Sequence, residues 1–220
     1  MSHASGAGPR APASERVGEF EGRSPSIESD LVSLRPAVFL DRDGTLIEEA
    51  GYLDRLERLV LYPYSVDAVR LLNRAGLAVV IITNQAGVAR GIFRETFVGE
   101  AHRYVTTRLE QGGARVDGFY YCPHHPEASV EEYRKSCQCR KPQPGMLRQA
   151  ADELTLDLAR SFVIGDRWHD LQAGDAVGAR GILVRTGYGR TEEAAPGPRI
   201  SPAAIVDNLI EAASWILRVA

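Results

Sequence analysis

Val38-Phe39-Leu40-Asp41-Arg42-Asp43-Gly44-Thr45 runs from three apolar residues directly into two carboxylates, a glycine and a hydroxyl. A short apolar run closed by a glycine turn reads as a strand buried on both faces, here Ala37 to Leu40. Two further runs finish in the same way: Val79 to Ile82 leads into Thr83-Asn84-Gln85, and Phe162 to Ile164 leads into Gly165-Asp166. With Leu77 to Ile82, Gly118 to Tyr121, Ser161 to Ile164 and Gly181 to Val184, the chain has five expected strands. Strands that are apolar throughout and separated by helices belong to a parallel sheet covered on both faces. The expected fold is therefore α/β, a three-layer Rossmann-like sandwich with right-handed crossovers.

The segments between the strands carry helical periodicity. Ser65 is expected to cap a helix through Val66, Val69, Leu72 and Ala75, with Gly76 ending it. A second helix is expected from about Arg94 to Glu110, a third opens at Pro144, and further helices fit Trp168 to Val177 and Ala203 to Leu217. Residues 1–35, rich in Ser, Gly, Ala, Pro and charge, read as a disordered tail, and residues 36–220 as one domain. The 190s read as a linker.

Composition excludes several classes of function. In 220 residues, 26 Lys+Arg face 29 Asp+Glu, so the field that draws nucleic acid is absent. No apolar stretch is long enough to span a bilayer, and the N-terminus has no hydrophobic leader, so a cytoplasmic protein is expected. The 3 cysteines all lie between Cys122 and Cys139, an odd count that suits reduced thiolates around a metal better than a disulfide framework.

In an open parallel sheet the carboxyl ends of the strands share one edge, so Asp41, Asp43, Thr83 and Asp166 should converge. Each alone is an ordinary cap or turn former; together they are hard to explain so. Asp41 and Asp166 can hold a hard cation such as Mg²⁺, while Thr83 and Lys141 can hold phosphate. A cation and a lysine offset the repulsion between carboxylate and phosphate, so Asp41 can act as a nucleophile. Asp43 can then protonate the leaving oxygen and later deprotonate water.

Asp41-Arg42-Asp43-Gly44-Thr45, Thr83-Asn84-Gln85, Arg140-Lys141-Pro142 and Gly165-Asp166 with Asp170 resemble, in order, the four motifs of the haloacid dehalogenase superfamily of phosphatases. The resemblance implies a fold without a large cap domain and an aspartyl-phosphate intermediate at Asp41, with Asp43 as acid and base. It also implies Mg²⁺ on Asp41, the Asp43 carbonyl and Asp166, with Asp170 as a further acidic neighbour, and phosphate on Thr83 and Lys141. Cys122-Pro-His124 and Cys137-Gln-Cys139 narrow it to the branch acting on heptose bisphosphates and histidinol phosphate. In that branch Glu49, Ala50, Gly51 and Tyr52 would contact the sugar. Arg42 and Asn84, Gln85 and Ala86 would line the same surface, and Arg140 and Arg167 would meet a second phosphate.

Zn²⁺ takes four soft or borderline ligands in a tetrahedron, which Cys122, His124, Cys137 and Cys139 can supply. Spacing favours His124, since Cys122-x-His124 mirrors Cys137-x-Cys139, with His125 as the rival imidazole. A fully protein-ligated zinc is structural, and would hold the loop that delivers Arg140 and Lys141. The 12 residues between the two pairs favour a sugar bisphosphate over histidinol phosphate, because the histidinol-phosphatase relatives have a shorter segment. The expected partner is a small phosphorylated sugar, with no nucleic acid and no membrane, and the expected state a monomer. A receiver-like signalling domain or an inactive zinc-stabilised binding module are the competing readings; the Asp-x-Asp-Gly-Thr start argues against the first and the full set of reactive residues against the second. Gly87 and Gly91 read as turn glycines, His169 as a helix-surface residue and His102 as structural.

Overall fold

The computed structural model describes residues 34–219. The expected tail over 1–35 falls outside these residues save for Leu34 and Arg35. The chain runs through β1 (Arg35–Leu40), α1 (Ser65–Arg74), β2 (Ala78–Asn84), α2 (Ala86–Ala89), α3 (Glu95–Gln111), β3 (Gly118–Cys122), α4 (Gly145–Leu154), β4 (Leu156–Gly165), α5 (Trp168–Asp175), β5 (Arg180–Val184), α6 (Gly189–Ala194), β6 (Ala204–Val206) and α7 (Leu209–Val219). The sheet order is β3-β2-β1-β4-β5-β6. Every pairing is parallel. The winding direction reverses between β1 and β4, and this switch point is where a doubly wound sheet opens a crevice.

Alternation along the strands assigns each side chain to one of two cores. Val38, Leu40, Val79, Ile81, Phe162 and Ile164 pack under α1, α3 and α7. Ala37, Phe39, Val80, Ile82 and Val163 pack under α4 and α5. These residues are all fully buried. The three-layer sandwich of the sequence reading is therefore what forms.

Three local expectations are corrected. Ala204–Val206 form β6, and the last helix starts at Leu209 instead of Ala203. This short stretch completes the sheet edge by pairing Ile205 with Leu183, and tertiary pairing overrides a sequence that reads equally well as helix. The 190s are not all linker, because Gly189–Ala194 form α6. Arg185 pins this helix through bonds of 2.6 and 2.8 Å to Glu193 and a bond of 2.9 Å to Asp207. Ser65 is the first residue of α1 and not its cap; its buried hydroxyl instead donates to the Leu46 carbonyl at 2.6 Å. That bond fixes α1 to the segment leaving the site.

His102 confirms its structural reading. Its ring lies 4.5 Å from that of Phe119 between α3 and β3, and Nε2 has no partner among the described residues. Burial, reinforced by the nearby Arg42 charge, holds its pKa down at about 3. Above pH 6.5 the ring is neutral in folded and unfolded chains alike. Below that value the unfolded chain takes up a proton that the folded chain refuses until about pH 3, so stability falls as pH falls. Each pH unit in that window costs ~1.4 kcal/mol. Urea unfolding midpoints of His102→Leu should accordingly decline less between pH 6.5 and 4 than those of the wild type; parallel declines would show that the ring protonates freely in the fold.

Candidate active site

The carboxyl ends of β1, β2 and β4 surround a cleft of about 280 Å³. Asp41, Asp43, Thr83 and Asp166 all line it, so the four expected strand-end groups converge. The loops after β1, β2 and β5 and the cysteine-bearing loop after β3 make the walls.

Lys141 holds the base of the cleft together. Its ammonium, buried at 2% exposure, donates to Asp41 Oδ1 at 2.6 Å and to the Ile82 carbonyl at 2.9 Å, and pairs with Asp170 Oδ1 at 2.6 Å. Burial opposes its charge, but Asp170 and Asp41 outweigh that and raise its pKa. For Asp170 burial pushes upward, yet Lys141 prevails and the carboxyl is held low. Asn84 fixes the lysine from the side, giving Nδ2–H to the Lys141 carbonyl and taking the Lys141 N–H on Oδ1, each at 3.1 Å.

Three acidic side chains, Asp41, Asp166 and Asp170, bring ligand oxygens within 4.8 Å of one another. Burial raises Asp41 to about 7, with Lys141 opposing and Asp170 and Asp43 adding to the rise. Asp166 is pushed up to about 8 by burial and by the charges of Asp41 and Asp170. Its Oδ2 accepts the Tyr188 N–H at 2.8 Å. One ammonium cannot neutralise three carboxylates, so the donor set fits a divalent cation bound between Asp41 and Asp166. Two glycines allow this crowding: a Cβ at Gly44 would lie 2.3 Å from Asp166 Oδ2 and one at Gly187 2.2 Å from it, and both residues have positive φ.

Asp43 is oriented from three directions. Arg42, itself buried, reaches Oδ2 with Nε at 3.1 Å and Oδ1 with Nη2 at 3.0 Å. Gln85 Nε2 donates to Oδ2 at 2.9 Å and to Thr83 Oγ1 at 2.8 Å, while Thr83 Oγ1 lies 3.4 Å from Oδ2. Arg42 and Gln85 thus serve the carboxylate as well as lining the cleft.

Cys122, His124, Cys137 and Cys139 form one cluster, with sulfur–sulfur distances of 3.1 to 3.4 Å and Nδ1 of His124 3.4 Å from Cys139 Sγ. All three cysteines are free. Three sulfurs and one imidazole around a common centre are the donor set of a tetrahedral zinc site. The structure brings His124 and not His125 to this cluster; His125 turns its ring to the cleft, and its Nδ1 accepts the Glu127 N–H at 3.1 Å. Arg140, next to Cys139, bonds the His124 carbonyl at 3.1 Å while lining the cleft.

Among the expected sugar contacts, Glu49, Gly51 and Tyr52 line the cleft, and Glu49 Oε1 accepts the Gly51 N–H at 2.6 Å. Ala50 faces elsewhere, its carbonyl bonded to Arg58 Nη2 at 2.7 Å. Ala86 opens α2 at the cleft wall. Arg167 lies 3.6 Å over the Tyr188 ring. His169 is placed at the cleft and not on a bare helix surface, with Nε2 3.4 Å from Asp170 Oδ1. Arg90, His125, Phe93 and Tyr188 also line the cleft. Arg90 follows a turn motif by a few residues, and nothing in its own sequence context separates it from a solvated surface charge.

These features fit a hydrolase of phosphate esters built on a doubly wound parallel sheet. A family model described as HAD-hydrolase-like matches residues 138–212. The chain is 45% identical over 161 residues to D-glycero-beta-D-manno-heptose-1,7-bisphosphate 7-phosphatase of Escherichia coli strain K12, covering 72% of this chain and 84% of that protein. It is 47% identical over 148 residues to the enzyme of the same name from Rhodopseudomonas palustris, covering 67% and 82%. The D,D-heptose 1,7-bisphosphate phosphatase of B. bronchiseptica, solved with magnesium and phosphate, superposes with a TM-score of 0.75 at 33% identity over 84% of this chain and 99% of that one. The chain belongs to this heptose-bisphosphate phosphatase family of HAD-like hydrolases.

Close packing around Lys141 makes one substitution diagnostic. A Cβ at Gly165 would stand 2.3 Å from Asp170 Oδ2. Gly165→Ala should displace Asp170 from Lys141, lower stability by ~1 to 3 kcal/mol and depress phosphatase turnover in the folded fraction. Denaturant titration with activity normalised to folded protein checks it; a fully active variant would show that the Asp170–Lys141 pair is dispensable.

Proposed function

We propose that the chain, through its domain over residues 36–220, is a Mg²⁺-dependent phosphatase that removes the 7-phosphate of D-glycero-D-manno-heptose 1,7-bisphosphate. The observation that carries this reading is the buried Asp41 held by Lys141 at the base of a cleft whose rim carries Arg90 and Arg140. A reacting phosphate meets Asp41, Thr83 and Lys141, and a second anionic group meets the rim. Histidinol phosphate fits less well, since its ammonium would approach the rim cations.

Asp41 attacks phosphorus, and the bond to the sugar oxygen breaks as Asp43 gives that oxygen a proton. Asp43 then takes a proton from water, which attacks the aspartyl phosphate and restores Asp41. Thr83 and Lys141 take the phosphoryl oxygens, the ammonium giving up for them one of the three acceptors, Asp41, Asp170 and the Ile82 carbonyl, that occupy its three N–H donors in this structure. Asp41, the Asp43 carbonyl and Asp166 would hold Mg²⁺, and the ion would supply the charge that offsets repulsion between the phosphate and the carboxylates. Asp170 belongs to Lys141 in this assignment and orients it. Cys122, His124, Cys137 and Cys139 would hold a zinc ion, which would fix the loop. A reduced thiolate cluster suits a cytoplasmic enzyme. No helix among the described residues is long and apolar enough to cross a membrane. We assign the protein a monomeric state, with the phosphorylated sugar as its partner.

Asp41→Asn should fold and lose turnover, since an amide is a poor nucleophile; near-wild-type rates with added Mg²⁺ would exclude the covalent route. Asp43→Asn should lose ~10²- to 10⁴-fold on the sugar substrate and recover part of the first step with a leaving group that needs no protonation.

Zinc should copurify at about one per chain, the stoichiometry of a single tetrahedral site. Cys137→Ser should lower the unfolding temperature more than it lowers Mg²⁺ affinity. Elemental analysis finding no zinc in protein prepared without chelator would refute the assignment.

A further inference from the structure

The cleft is lined by charged groups of both signs. Glu49 offers a carboxylate, Arg167 is stacked against Tyr188 at 3.6 Å, and Arg90, His125 and Arg140 also line it. The charged groups that act on the His125 ring are Arg140, Arg90 and the Glu127 carboxylate, so two guanidinium groups and one carboxylate share the neighbourhood of the imidazole. Among the described residues neither arginine takes part in a salt bridge. Two unpaired guanidinium groups beside one imidazole repel each other unless an anion lies between them.

Each member is held by the backbone behind it. Arg140 donates to the His124 carbonyl, next to His125, at 3.1 Å. The His125 N–H donates to the Tyr133 carbonyl at 3.1 Å, and Nδ1 is occupied by the Glu127 N–H. In the neutral ring the proton is therefore on Nε2, which is left as a donor. The Val130 N–H bonds the Ala89 carbonyl at 2.9 Å, tying the same loop to the turn that carries Arg90. Arg90 also lies 5.8 Å over the Tyr52 ring, which limits where its guanidinium can go.

We propose that Arg90 and His125 complete, with Arg140, an anion subsite for the substrate's second, non-reacting phosphate, so that the cysteine loop and the turn after α2 jointly set bisphosphate selectivity. This rests on the proposed sugar bisphosphate reaction. Arg90 and Arg140 supply planar donor forks and His125 a single N–H, enough for three oxygens of a phosphate monoester. Arg167, expected from the sequence to meet this phosphate as well, lines the same cleft with its guanidinium stacked over Tyr188 and serves as the comparison arginine.

The test is the ratio of kcat/KM on the heptose 1,7-bisphosphate to that on the heptose 7-phosphate, for the wild type and for Arg90→Ala, Arg90→Lys, His125→Gln and Arg167→Ala, with zinc content and unfolding temperature recorded for each. Arg90→Ala and His125→Gln should each lower the ratio by ~10-fold, the scale of a charge-assisted contact, mostly through KM. Arg90→Lys should restore part of it, and Arg167→Ala should shift the ratio less than either. If the wild type shows no preference for the bisphosphate, the substrate reading and the subsite fail together. If it does prefer the bisphosphate but Arg90→Ala and His125→Gln, with zinc retained, leave the ratio at the wild-type value, the subsite is overturned while the substrate reading stands.

Discussion

The Lys141 ammonium is the point on which the site depends. It sits between Asp41, at the end of β1, and Asp170, in the first turn of α5, with the Ile82 carbonyl of β2 as third partner. These partners come from both sides of the switch point, so one buried cation joins the two halves of the sheet. Removing one partner from such a group strands the others as buried charges, which typically costs ~3 to 5 kcal/mol. The same arrangement explains why so much of the neighbourhood is glycine: Gly44, Gly165 and Gly187 leave room for carboxylates that any Cβ would displace.

Lys141 is itself placed by a loop with little regular structure, which must be anchored from elsewhere. The anchors lie on either side of it. Cys139, two residues before, belongs to the sulfur and imidazole cluster; Asn84 bonds both backbone polar groups of Lys141; and the Gly145 N–H returns to the Gln138 carbonyl at 2.8 Å. A Cβ at Gly145 would stand 2.3 Å from that carbonyl, so the loop closes only around glycine. A metal at the cysteines would therefore act on catalysis through position, since the soft-ligand cluster and the hard-ligand carboxylates are separate donor sets joined by Arg140 and Lys141.

The parts of the molecule that sequence reveals are those governed by local rules. Apolar runs ending in Asp41, Thr83 and Asp166 announce both the strands and the edge they share, because period and strand direction suffice to place them. β6 is not announced, since Ala204–Val206 form a strand only where β5 presents an unpaired edge. Ser65 looks like a cap because capping residues and residues that bond across the chain are chemically alike; only the approach of Leu46 decides between them. Spacing favours His124 over His125 without settling it, and the fold separates them by pairing one ring with sulfur and turning the other to the cleft. Arg90 and Tyr188 carry no motif, and their place on the cleft comes from loops that meet only after folding.

Charge along the cleft changes sign with depth, and this follows from the two anchoring systems. The base gathers Asp41, Asp166 and Asp170 around one lysine, whereas the rim presents Arg90 and Arg140. With a formal net charge of -3, the chain as a whole does not attract anions, so attraction must be local to the rim. A substrate with one phosphate meets this rim only on its way in. In the proposed reaction a substrate with two would leave one phosphate there while the other reaches Asp41, and the separation of rim and base would orient the reacting phosphorus toward that carboxylate. Binding energy from a group that does not react would in this way be converted into alignment of the one that does.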